Sequence, residues 1–60
     1  MIIEIADTNN ETYYINPKNV IYIKERGSHQ LWKIVLINGE VVMTKDEAAA
    51  QSVLLALNES

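Results

Sequence analysis

Apolar and polar residues alternate with a period of two through the first forty-odd positions and change to a helical period only near the C-terminus, so the pattern predicts strands followed by one helix. The clearest stretch is Leu31 to Thr44, in which Asn38-Gly39 divides two apolar runs. That dipeptide suits a two-residue hairpin loop, because both loop residues need a positive φ. A two-residue loop pairs Ile37 with Glu40, Leu36 with Val41, Val35 with Val42, Ile34 with Met43 and Lys33 with Thr44. It puts Trp32, Ile34, Leu36, Val41 and Met43 on one face, and Lys33, Val35, Ile37, Glu40, Val42 and Thr44 on the other.

Upstream, Met1 to Ile5 reads as a first strand with Ile3 and Ile5 on one side. The turn-forming run Asp7-Thr8-Asn9-Asn10 leads to a return strand over Glu11 to Ile15, with Tyr13 and Ile15 opposed to Thr12 and Tyr14. Asn16-Pro17 ends it, because proline has no N–H for a ladder. Val20 to Arg26 alternates Ile21, Ile23 and Glu25 against Val20, Tyr22, Lys24 and Arg26, and its two apolar faces predict a central strand. Gly27-Ser28-His29-Gln30 forms a polar loop. After the hairpin, Thr44-Lys45-Asp46-Glu47 matches a capping box and places the helix start at Thr44, with Asp46 and Glu47 in the first turn. Ala50, Val53, Leu54 and Leu57 then form the helical stripe, and Leu55 falls outside it. The expected fold is α+β, a small antiparallel sheet of about five strands with one C-terminal helix packed on it, in a single domain over residues 1–60.

One helix covers one face of such a sheet, whereas strands three to five carry apolar residues on two. The sheet either curls into a small barrel or packs against another copy. A chain of 60 residues has a small core, and with no cysteine and a single histidine it lacks the means for a disulfide or a metal staple. Self-association is the expected remedy, as a dimer or a ring, with Tyr14, Tyr22 and Leu55 as interface candidates.

The hydrophobic share of 48% against 22% charged residues describes a globular chain. No apolar run is long enough for membrane insertion and the N-terminus has no signal-like pattern, which predicts a soluble cytoplasmic protein. The net charge of −3 is unevenly spread. Residues 1–17 and 34–60 are acidic, while residues 18–33 hold Lys18, Lys24, Arg26 and Lys33 against Glu25 alone. An acidic total disfavours non-specific binding to nucleic acid, but Lys24, Arg26, His29, Trp32 and Lys33 together are candidates for holding an anion, a nucleobase or a protein partner.

No enzyme signature is present: no phosphate-binding glycine loop, no cysteine nucleophile and no metal-spaced histidines. Ser28-His29 are adjacent residues that point apart in extended backbone, and Asp46-Glu47 serve the helix start. No cofactor is called for.

Tyr14-Ile15-Asn16-Pro17-Lys18-Asn19-Val20-Ile21, then Ile34-Val35-Leu36-Ile37-Asn38-Gly39-Glu40, then the helix beginning at Lys45-Asp46-Glu47, resemble the small FlbD/SwrD family of bacterial flagellar and swarming proteins. The resemblance spans most of the chain after strand one and departs from the family at Gly27-Ser28-His29-Gln30 and in the alanine-rich helix. It implies a regulatory role without catalysis and brings no catalytic residues. The reading from the sequence is therefore a non-enzymatic interaction or regulatory module, of the kind expected of an accessory protein or a viral regulator. It acts as a homo-oligomer with a protein partner; the alternative is an oligomer that binds nucleic acid or a small nucleotide.

Overall fold

The computed structural model describes residues 1–27 and 30–59. It contains five antiparallel strands and one C-terminal helix, an α+β fold, with the strands divided between two sheets. Strands β1 (Ile3–Ala6) and β2 (Thr12–Ile15) form a hairpin, with Ile3 opposite Ile15 and Glu4 opposite Tyr14. The Asp7 carboxylate accepts from the N–H groups of Asn9 and Glu11, both at 2.9 Å, and Asn10 takes the left-handed conformation that asparagine tolerates. A 3-10 turn over Pro17–Asn19 then carries the chain out of this sheet, its start held by the Asn16 side chain accepting from the Lys18 N–H.

Strands β3 (Val20–Arg26), β4 (Leu31–Leu36) and β5 (Val41–Thr44) make the second sheet in that order. The central strand is thus β4 and not β3, because β4 pairs with both of its hairpin neighbours while the Pro17 turn has separated β3 from β2. Lys24, Glu25 and Arg26 suit an edge position, where charge discourages further pairing.

The hairpin register differs from the sequence expectation by one residue. Trp32 pairs with Thr44, Lys33 with Met43, Ile34 with Val42 and Val35 with Val41. The loop has three residues, Ile37, Asn38 and Gly39, closed by Gly39 N–H to Leu36 O at 3.0 Å and Leu36 N–H to Glu40 O at 2.9 Å. Gly39 stands at φ +90°, as the glycine of a three-residue hairpin loop with a bulge does. Two bonds favour this loop. Asn38 Oδ1 accepts from the Glu40 N–H at 3.0 Å, and the Ile37 N–H leaves the ladder to donate to Asn19 O at 2.8 Å. A slip of one residue turns β5 over, so Val42 and Thr44 face inward and Val41 and Met43 outward.

A second irregularity lies in β3, where the register shifts between Val20 and Tyr22. Val20 and Ile23 both reach the inner side, and Ile21 is left exposed. The core forms between the layers: Ile3, Ile5 and Ile15 from the first sheet, Val20, Ile34 and Val42 from the second, and Ala49 and Val53 from the helix. Each fully buried aliphatic side chain there contributes about 1.5–3 kcal/mol.

The N-cap of helix α1 (Glu47–Asn58) lies two residues later than the capping-box reading places it. Asp46 is the N-cap, accepting from the Ala49 N–H at 3.1 Å. Thr44 is instead fully buried at the end of β5; its hydroxyl donates to Ala6 O at 2.7 Å and accepts from the Asp46 N–H at 3.0 Å, joining β1, β5 and the start of the helix. The inward stripe of α1 is Ala49, Ala50 and Val53, with Leu57 packed at its end.

Candidate interaction surfaces

The pairing of β3, β4 and β5 sorts their side chains into two sets of cross-strand rows. Inward lie Ile23, Ile34 and Val42 in one row and Glu25, Trp32 and Thr44 in the next. Outward lie Tyr22, Val35 and Val41, then Lys24, Lys33 and Met43, then Arg26 and Leu31. The outer face is therefore apolar toward the hairpin loop and cationic toward the other end. Tyr22 and Val41 are 45% and 46% exposed. Lys24 stands directly opposite Lys33, an arrangement that costs stability unless an anion relieves it.

Of the candidates for an anion or partner site, Lys24, Arg26 and Lys33 share this face. Trp32 does not. It is 6% exposed on the inner side, bordered by Glu25, Gln30, Lys45 and Glu47, and serves packing there. The register decides this, because successive residues of β4 point to opposite sides of the sheet. His29 lies outside the described residues.

The three interface candidates divide between two surfaces. Tyr22 belongs to the outer face of the three-stranded sheet. Tyr14 points outward from the β1–β2 sheet opposite Glu4. Leu55, 61% exposed, lines an open groove between β1 and α1 that also includes Met1, Ile2, Glu4, Ser52 and Glu59. Ile2 is 60% exposed and completes an apolar patch with Leu55 that the sequence reading did not single out. Its signal was Ile2, the apolar residue opposed to Ile3 on the first strand.

Among the described residues no group of three or more histidine, cysteine, aspartate or glutamate side chains is placed to hold a metal ion. Every buried side-chain nitrogen and oxygen among them has a hydrogen-bond partner, so none is left aimed at a ligand. One phenol is perturbed: partial burial, and then the carboxylates of Asp7, Glu11 and Glu40, raise the Tyr13 pKa above its ordinary 10.0. No helix among the described residues is long and apolar enough to cross a membrane. Comparison with protein-family models, curated proteins and solved structures returns no match to this chain.

Proposed function

We propose that this chain is a small non-enzymatic interaction module that works as a homo-oligomer through its apolar sheet and helix surfaces. The observation that carries the reading is the outer face of β3–β5. Its row of Tyr22, Val35 and Val41 presents apolar area on a protein whose core is small, and covering that area stabilises the fold as well as the assembly. The exposed Ile2 and Leu55 supply a second apolar surface. The resemblance to the FlbD/SwrD family supports a regulatory role for the assembly, exercised on a protein partner in the cytoplasm.

The test is association in solution. Val41→Arg puts a charge in the apolar row of the outer face, on an edge-strand side chain already half in water, and is expected to lower the native mass while the circular dichroism spectrum stays unchanged. An unaltered mass removes this face from the interface.

A second reading rests on Lys24, Arg26 and Lys33 sharing one face beside Tyr22, which gives a strand of nucleic acid cations for its phosphates and one ring for stacking. A net charge of −3 and the burial of Trp32 weigh against it. Under that reading, replacing both Arg26 and Lys33 by Ala abolishes a salt-sensitive shift of a single-stranded oligonucleotide. Binding retained by the double variant, or absent from the wild type, sinks it.

A further inference from the structure

The two exposed apolar surfaces carry opposite charge. On the outer face of β3–β5 the charged side chains are Lys24, Arg26 and Lys33, and no carboxylate occupies a row of that face. The groove between β1 and α1 has the reverse composition. Its lining side chains include Glu4, Asp46 and Glu59 and no lysine or arginine. Asp46 is already engaged as the helix cap, which leaves Glu4 and Glu59 to face a partner. The last turn of α1 holds no basic residue, so the negative end of the helix dipole adds to Glu59.

The surfaces also lie on opposite sides of the core. The inner rows of β3–β5 pack on it from one side, and Ile3, Ala49 and Val53 from the other. Ile2 and Glu4 alternate with Ile3 along β1, and Ser52 and Leu55 lie off the buried stripe of α1, so the groove opens away from the three-stranded sheet.

Symmetry then separates the ways two copies can meet. In a two-fold dimer a surface meets itself. Face against face gives Lys24, Arg26 and Lys33 no carboxylate within the contact, and groove against groove confronts Glu4 and Glu59 with their own copies. Face against groove matches apolar area to apolar area and cations to carboxylates, and it relieves the repulsion between Lys24 and Lys33.

We propose that the protein assembles head to tail, the cationic apolar face of β3–β5 on one copy seated in the acidic apolar groove between β1 and α1 of the next. This rests on the self-association proposed above and specifies its geometry. The growing assembly keeps one free face at one end and one free groove at the other until a ring closes, and a rotation that does not close gives an open chain.

Complementary charge reversal tests it. One variant carries Arg26→Glu and Lys33→Glu; the other carries Glu4→Lys and Glu59→Lys. All four side chains lie on the surfaces in question, outside the core cluster, and circular dichroism with thermal unfolding confirms the fold of each. Native mass spectrometry and sedimentation are expected to show self-association weakened about tenfold or more in each variant alone. Mixed one to one, the two variants reassociate into multimers with equal numbers of each, because reversed face meets reversed groove and native face meets native groove in alternation. Where the groove variant does not give the wild-type spectrum, Leu55→Ser replaces it: it weakens self-association by a neutral trim, and its intact face still seats in the intact groove of the face variant to give a mixed pair. A wild-type multimer whose variants do not recombine, or that one of the two variants leaves intact, overturns the head-to-tail geometry alone. A wild type that is monomeric at every concentration overturns self-association itself, and this geometry with it.

Discussion

Thr44 shows how one residue type serves either of two structural roles. Followed by Lys45-Asp46-Glu47 it has the spacing of a helix cap, yet its hydroxyl is buried and joins Ala6 to Asp46. The capping residue is Asp46, whose carboxylate reaches the Ala49 N–H. Local spacing allowed either residue the role, and the inward turn of Thr44 in β5 decided between them. Thr44→Val keeps the shape and removes two part-buried hydrogen bonds, to Ala6 O and from the Asp46 N–H, with an expected loss of about 1–3 kcal/mol in chemical unfolding, whereas Thr44→Ser retains both bonds and loses less. Equal losses in the two variants would contradict the bridging role. Tyr13 gives a prediction in pH. Its phenol holds its proton to a higher pH when folded than the ordinary 10.0 of the unfolded chain. Its contribution is therefore complete below that value and is lost as pH rises through the folded pKa. Unfolding midpoints followed across this window fall more steeply for the wild type than for Tyr13→Phe, and parallel curves would contradict the shift. Trp32 marks the limit of reading residues singly. Its type and its basic neighbours suit nucleobase stacking, but the register of β4 directs it inward.

Among the elements, the strands, their antiparallel hairpins, the Pro17 turn and the C-terminal helix were legible because each rests on local chemistry: alternation, turn formers and a 3.6-residue stripe. The two bulges were not. Asn38-Gly39 fits a two-residue loop as well as a three-residue one, and the bond from Ile37 to Asn19, eighteen positions earlier, selects the latter. That selection is not local, so β5 was read with Val41 and Met43 on the face of Trp32 and Ile34, where the structure puts Val42 and Thr44. The shift between Val20 and Tyr22 likewise depends on pairing with β4. Gly39 is the residue on which the observed loop depends. At φ +90° any side chain is strained, and no heavy atom lies within 4 Å of where a Cβ would stand, so Gly39→Ala isolates the backbone term. The expected cost is about 1–2 kcal/mol in stability with the spectrum preserved. A variant as stable as the wild type would mean that the loop takes another conformation.

At the scale of the molecule, the excess of apolar surface was visible in the sequence, since strands three to five carry apolar residues on both faces and one helix covers one of them. Its division into two oppositely charged surfaces was not visible. It depends on the packing of β1 beside α1, which aligns Ile2 and Glu4 with Leu55 and Glu59, residues more than fifty positions apart. Of the cations in residues 18–33, by contrast, Lys24, Arg26 and Lys33 come together through β3–β4 pairing, which leaves Glu25 on the other side of the sheet and Lys18 in the 3-10 turn. Charge-rimmed apolar surfaces associate with a strength that falls as salt rises, through the rim, while the apolar centre sustains binding at high salt. The most direct measurement is the native mass of the wild-type protein beside that of Val41→Arg, at matched concentration and physiological salt. The expected result is a multiple of the 6.8 kDa chain for the wild type and a lower mass for the variant. A wild type that stays at 6.8 kDa, or a variant with the same multiple, contradicts the account.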